Sequence, residues 1–114
     1  MNNDKFKIIC LLKEFIMMLD EIIINYPKRD YELRNRLMYD AYQVLEYVYE
    51  ANYHELKDRK SFQIKAIMKL NLLDFYIEYS FKKKIISEKQ SYKISSKLLN
   101  INKMIYKWMQ YEKC

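Results

Sequence analysis

The sequence predicts an all-α protein, an antiparallel up-down-up-down four-helix bundle that forms a single domain over residues 1–114. The first observation is that the chain has no glycine, the residue on which hairpins, bulges and phosphate-binding loops depend. The second is that its one proline, Pro27, falls between two long apolar patterns. The third is that apolar residues recur at spacings of three and four in four segments joined by short connections, as in a helix bundle.

The first two helices are separated by the proline. The first is expected from about Asp4 to Tyr26, with inward-facing residues Ile8, Leu12, Phe15, Leu19 and Ile22. Pro27 ends it, because the residue before a proline is pushed out of the α region. The second is expected from about Asp30 to Leu56, with inward-facing residues Leu37, Ala41, Val44, Val48 and Ala51.

The third and fourth helices have recognisable ends. Asp58 is expected to be the N-cap of the third, which runs to about Lys84 with Ala66, Leu70, Leu73 and Ile77 inside. Lys82, Lys83 and Lys84 then fall in its last turn, where cations complement the helix dipole. Ser87 followed by Gln90 matches the capping box at the start of the fourth helix. The inward-facing residues of that helix are Ile94, Leu98, Ile101, Ile105 and Trp108.

Positive charge is concentrated at the end of the chain. From residue 80 to 114 nine lysines stand against two acids, a balance of +7, whereas residues 1–79 carry 12 basic and 13 acidic side chains. At about 100° per residue, five of these lysines fall in one arc of the fourth helix, beside its core face. We number the four expected helices α1 to α4 in chain order and call these residues the α4 lysine stripe: Lys89, Lys93, Lys97, Lys103 and Lys107.

The stripe has two interpretations. One is an ordinary solvated helix face, although such faces usually mix both signs of charge. The other is a surface that binds a polyanion, because counterion release would favour such a complex. The polyanion could be nucleic acid, an acidic protein or an anionic membrane surface. A peripheral membrane module is disfavoured because no exposed Trp or Phe is expected beside the stripe.

Nothing in the sequence indicates catalysis or a bound cofactor. His54, the only histidine, has no nearby ligand or catalytic partners in sequence and is expected at a helix end on the surface. The acids show no spacing typical of a paired-carboxylate site. We therefore expect a protein that is not an enzyme and has no metal or other cofactor. Two cysteines, Cys10 and Cys114, and the absence of a signal peptide or membrane span predict a cytoplasmic protein.

The first helix carries more apolar surface than one bundle interior uses. Cys10, Met17 and Ile24, spaced by seven, form a second apolar line outside its main apolar arc. We call this the outer α1 line. A deeply buried helix would explain it, but we favour a contact between subunits of a homo-oligomer.

The order of these features resembles one bacterial protein family. The likeness spans about residues 26–110. It is carried by the turn at residues 26–30, the following residues 31–37, and the segments 69–73, 85–92, 98–99 and 104–108. The family includes the accessory variability determinant (Avd) of diversity-generating retroelements and proteins encoded in intervening sequences of bacterial 23S ribosomal RNA genes. The Avd branch is the more similar.

The resemblance implies a small basic bundle that forms a homopentamer, binds a retroelement reverse transcriptase and nucleic acid, and has no catalytic residues. The chain departs from the family pattern at Asp74 and Glu78, where arginines are frequent, and at Tyr106 and Lys107, where a glycine pair is frequent.

We therefore expect a basic, oligomeric accessory protein that binds the phosphate backbone of RNA or DNA. The predicted contacts are the α4 lysine stripe together with the joint cluster Lys82, Lys83 and Lys84. The alternative is a protein–protein adaptor, or a bundle of the 23S intervening-sequence type, without direct RNA binding.

Overall fold

The computed structural model describes residues 4–111 and confirms the all-α four-helix bundle. The helices are α1 (Asp4–Ile23), α2 (Tyr31–Tyr53), α3 (Leu56–Lys82) and α4 (Glu88–Tyr111), with a short 3-10 helix at Lys28–Asp30 before α2. Of the residues named in the sequence analysis, Cys114 lies outside the described part of the chain.

The helices occupy the corners of a square in chain order. α1 packs on α2 and α4, and α3 packs on the same two helices, so α1 and α3 are diagonal to each other. Three side-chain contacts show that α2 and α3 are antiparallel: Asp30 meets Lys83, Arg36 meets Tyr76, and Asp40 meets Lys69. The bundle measures 47 × 22 × 19 Å.

The predicted inward-facing residues form the core, with one exception. Every one of them on α2, α3 and α4 is buried, including Trp108, the largest core side chain, at 1% exposure. On α1 the last predicted position is wrong, because Ile23 is buried and Ile22 is only partly buried. The helical period of 3.6 residues drifts from the regular 4-3-4-3 spacing over about four turns, so the final apolar residue that reaches the core is one position later than that spacing predicts.

The connections correct several predicted helix ends. α1 ends at Ile23, three residues before the predicted Tyr26, and Tyr26 is a buried residue of the connection. α2 begins after the short 3-10 helix, at Tyr31, and ends at Tyr53 because His54 has extended backbone geometry.

The N-cap prediction for α3 is wrong. Glu55 occupies the N-cap position without a side-chain cap, and Asp58 lies in the first turn with its amide bonded to the Glu55 carbonyl. Asp58 is not the N-cap because the connection between α2 and α3 has only two residues, so α3 has already begun at Leu56. The connection is stabilised by Arg59, which donates hydrogen bonds to the carbonyl oxygens of Ala51 and His54 at the end of α2.

The end of α3 also differs from the prediction. Lys82 is its last residue, Lys83 is the C-cap, and Lys84 lies beyond the helix with φ 63°, in the left-handed region. The Lys84 amide bonds to the Phe81 carbonyl and the Ile85 amide to the Ser80 carbonyl. This is the Schellman motif, here with lysine at the position that glycine usually occupies. The prediction that all three lysines share the last turn is therefore wrong for Lys83 and Lys84.

The capping box of α4 is confirmed. The Gln90 amide donates to Ser87 Oγ, and the Ser87 amide donates to Gln90 Oε1, each at 3.0 Å. These reciprocal bonds satisfy backbone groups that the first turn leaves unpaired, and they fix the point at which α4 begins.

Candidate polyanion-binding surface

The α4 lysine stripe lies on the outside of the bundle. Lys89, Lys93, Lys103 and Lys107 are exposed, and Lys97 is half-buried beside the core face. The ends of the stripe are about 27 Å apart at 1.5 Å per residue. The buried residues of α4 are the five predicted core positions, so the helix has one face in the core and one basic face in solvent.

The stripe lysines have no acidic partners within residues 4–111. No carboxylate of that range lies within 4.0 Å of their amino groups, whereas Lys69, Lys82 and Lys83 each pair with an acid. Like charges repeated along one helix face repel one another, and this repulsion is relieved when an anion binds. The arrangement therefore leaves ammonium groups available to phosphate or carboxylate groups of another molecule.

The joint cluster is different from the stripe, because two of its three lysines are paired. Lys82 lies 3.3 Å from Glu78, one turn earlier on α3, with both side chains exposed. Lys83 lies 2.6 Å from the buried carboxylate of Asp30, and this hydrogen bond raises the pKa of Lys83. Lys83 is thus part of the structural link between α2 and α3, and Lys84 is exposed in the turn that follows.

An aromatic groove adjoins the beginning of the stripe, and its Phe81 is 39% exposed, so the expectation that no exposed Phe lies beside the stripe is wrong. It has a volume of about 650 Å³ and is lined by Phe81, Glu88, Lys89, Ser91, Tyr92 and Ser95. Tyr92 is 77% exposed, so one face of its ring is open to solvent next to a stripe lysine. At the other end, Lys107 lies over the ring of Tyr111 with its amino group 5.8 Å from the ring centre. Exposed aromatic rings beside cations can stack on nucleic-acid bases.

The positions at which the chain departs from the family pattern lie on the surface. Asp74 and Glu78 are exposed on α3, and Tyr106 and Lys107 are exposed on α4. Glu78 is paired with Lys82, and Asp74 has no ion-pair partner among residues 4–111. These two positions of α3 therefore add no positive charge to the α4 lysine stripe.

His54 is at a helix end, as predicted, but it is half-buried. Its ring stacks on Phe62 at 5.0 Å, and its Nε2 lies 3.2 Å from Glu50 Oε2. Among residues 4–111, no group of three His, Cys, Asp or Glu side chains comes together as a metal site. The contacts of His54 are those of a side chain that closes the connection between α2 and α3.

The structure shows one surface that the sequence analysis missed. Ile64, Met68, Leu72, Phe75 and Tyr79 are exposed on the outside of α3, and we call them the outer α3 stripe. Their spacings of four, four, three and four are themselves helical and could have revealed the stripe. The inward-facing residues of α3 have the same helical period, and the sequence analysis named only those residues. The outer α1 line is exposed as well, with Met17 at 61% and Ile24 at 64%.

Comparisons with known proteins do not assign this chain to a family. A scan against protein-family models found no match, and a search of curated proteins found none either. Among the described residues, no helix is both long enough and apolar enough to cross a membrane.

Proposed function

We propose that this chain is a non-catalytic, oligomeric accessory protein that binds nucleic acid through its α4 lysine stripe. The observation that carries the proposal is the set of solvent-facing lysines on α4 without acidic partners in residues 4–111. Nucleic acid is favoured over other polyanions because the stripe is bordered by Tyr92 and Tyr111, whose exposed rings can stack on bases.

The resemblance to the Avd branch gives this surface a biological setting. By that resemblance, the protein would act as a homopentamer beside a retroelement reverse transcriptase in a bacterial cytoplasm. Repetition of a modest basic patch in an oligomer would strengthen binding through avidity. The exposed outer α1 line supports an oligomer, because apolar side chains on the outside of a helix can pack against a second subunit.

Phosphate contacts of this kind predict a strong dependence on salt. If about five lysines neutralise phosphates of single-stranded RNA, a fourfold rise in salt weakens binding by on the order of 10²-fold. Fluorescence anisotropy with a labelled 20-nucleotide RNA, measured over a salt series, tests this directly. Affinity that does not change with salt would contradict the proposal.

A pair of charge reversals tests the site itself. Lys93→Glu with Lys103→Glu removes two of the expected phosphate contacts. The slope of log binding constant against log salt concentration should therefore decrease by the part that these two contacts contribute, and binding at low salt should weaken. Both side chains are exposed, so the helix content measured by circular dichroism should not change. The matched control is Lys13→Glu with Lys28→Glu, which makes the same change of charge at exposed positions away from α4. Equal losses in the two variants would show that net charge, and not the stripe, governs binding.

A further inference from the structure

A groove lies where the beginning of α3 meets the end of α4, at one end of the bundle. The two helices are neighbours, and a hydrogen bond from Asn102 Nδ2 to Asn71 Oδ1 joins them farther along. The groove has a volume of about 710 Å³. Small-molecule sites of proteins usually measure about 300–1,000 Å³, so the groove has the size of a ligand site.

Each helix contributes side chains from one of its faces. On α3, Lys57, Lys60 and Gln63 are three residues apart and therefore project to the same side. On α4, Tyr106 and Met109 have the same spacing. None of the α4 stripe lysines lines the groove, so it is a surface separate from the stripe.

The groove presents apolar side chains to solvent. Leu56 of α3 and Tyr106 of α4 each line it and are each 52% exposed. Met109 is partly buried and packs against the core. Gln63 is only 3% exposed and still lines the groove, so a polar amide belongs to its inner surface. Apolar walls with a few polar groups are typical of sites for small organic ligands.

The cations at the groove have no acidic partners in the described part of the chain. Lys57 and Lys60 are exposed, and no carboxylate of residues 4–111 lies within 4.0 Å of either amino group. None of the lining residues in that range is an acid. A carboxylate placed here accepts charge-assisted hydrogen bonds without displacing an ion pair within residues 4–111. The charges therefore favour an anion and disfavour a cation.

The helix ends that form the groove are held in place by contacts of their own. Trp108 is 1% exposed, and the central carbon of the Arg59 guanidinium lies 6.0 Å from the centre of its ring. Arg59 also donates hydrogen bonds to the carbonyl oxygens of Ala51 and His54. The first turn of α3 is thereby linked to both α2 and α4. A ligand does not have to order these helix ends, which lowers the entropic cost of binding.

We propose that the groove binds an organic monocarboxylate with an apolar body, such as a fatty acid or an aromatic acid. The carboxylate bonds to Lys57 and Lys60, and the apolar body packs between Leu56 and Tyr106. An uncharged hydrocarbon leaves the two lysines unused, and a small hydrophilic anion leaves the apolar walls in water. The site goes beyond the proposed function, because it requires neither nucleic acid nor the α4 lysine stripe.

Isothermal titration calorimetry of the full chain without nucleic acid tests the ligand class, with octanoate and naphthoate as probes. At least one of them should bind at one site per chain, and the tighter probe shows whether the body is aliphatic or aromatic. Octanol has only the apolar body and acetate only the charge, so both should bind at least about tenfold more weakly. Binding of neither carboxylate probe, or equal binding of octanol, would overturn the proposal.

Removal of the two cations tests their role. Lys57→Gln with Lys60→Gln should weaken binding of the carboxylate probes by roughly tenfold or more, because charge-assisted hydrogen bonds are lost. The matched control, Lys13→Gln with Lys28→Gln, removes two exposed charges elsewhere and should bind like the wild type. Equal affinities of the two variants would contradict a site at Lys57 and Lys60.

Removal of the apolar walls tests the location of the ligand body. Leu56→Gln with Tyr106→Gln should weaken binding of both carboxylate probes, because the body then packs against polar side chains. The matched control is Leu99→Gln with Tyr42→Gln, at residues 57% and 51% exposed that do not line the groove, and it should keep the wild-type affinity. Circular dichroism checks that both variants keep their helix content. Unchanged affinity of the groove variant would place the ligand on another apolar surface and overturn the proposal.

Discussion

Lys83 Nζ lies 2.6 Å from Oδ1 of Asp30, so the residue that follows α3 is bonded to the residue that precedes α2. The two residues are 53 positions apart in the chain. The Asp30 side chain is only 2% exposed, and the Arg29 guanidinium lies farther from it, at 3.6 Å. Lys83 is therefore the principal counter-charge of a buried carboxylate.

Removal of this counter-charge should destabilise the bundle. Lys83→Ala leaves Asp30 buried without its closest partner, and we expect the melting temperature to fall by roughly 5–10 °C. Lys84→Ala removes the same charge one residue later and should have a much smaller effect. Thermal unfolding followed by circular dichroism compares the two variants. Equal melting temperatures would show that the Asp30–Lys83 bond does not stabilise the fold.

Tyr26 should make the fold sensitive to alkaline pH. Its hydroxyl donates to Ser80 Oγ at 2.7 Å, and burial, the largest cause, raises its pKa above the ordinary value of 10.0. The unfolded chain therefore releases this proton at lower pH than the folded chain does. The stability that the protonated Tyr26 contributes is present below about pH 10 and is lost as the pH rises through the pKa of Tyr26 in the folded chain.

Urea unfolding between about pH 8 and 11 checks this expectation. Tyr26→Phe should be less stable than the wild type at pH 8 but should lose less stability as the pH rises. Tyr92→Phe, at an exposed position, should keep the wild-type pH dependence. If Tyr26→Phe also keeps the wild-type pH dependence, ionisation of Tyr26 does not contribute to alkaline unfolding.

The capping box should contribute measurably to stability. Ser87→Ala removes the acceptor of the Gln90 amide and should cost about 1 kcal/mol of unfolding free energy. Gln90→Ala removes the acceptor of the Ser87 amide and should cost less, because that amide can bond to water. Chemical denaturation measures both. Ser96→Ala, at an exposed position within α4, is the control and should be neutral or slightly stabilising. A Ser87→Ala variant as stable as this control would contradict the role of the cap.

The turn after α3 offers a stabilising substitution. Lys84 adopts φ 63°, a conformation that costs an L-residue with a Cβ about 1 kcal/mol and costs glycine little. Lys84→Gly should therefore raise the unfolding free energy by about 0.5–1 kcal/mol. Lys84→Ala removes the same charge but keeps the Cβ, so it separates the backbone effect from the electrostatic one. Equal stabilities of the two variants would exclude the backbone explanation.

The predicted features that the structure confirms are local or periodic. The core positions of α2, α3 and α4 follow from the helical repeat, and the Ser87–Gln90 box follows from a spacing of three residues. The exposed position of most α4 stripe lysines follows from the same repeat, because it fixes the angle of each residue relative to the core face of its own helix. Polyanion binding by the stripe remains a prediction.

The features that the sequence did not reveal depend on connections or on other helices. Asp58 was predicted to be the N-cap of α3. The guanidinium of Arg59 donates hydrogen bonds back to the end of α2 and stabilises a two-residue connection, so α3 begins before Asp58. Lys83 was placed in a solvent-facing cluster, and its partner Asp30 could not be found by local spacing.

The sequence by itself determined the four helices, their inward faces and the basic face of α4, because each is set by the period of one helix and by residues adjacent in the chain. The tertiary structure alone decided that Lys83 pairs with Asp30 and that the outer face of α3 has no neighbouring helix within residues 4–111. Periodicity gives the angle of a residue about its own helix axis. It does not give the positions of the other helices around that axis, and these determine which outward-facing residues are covered.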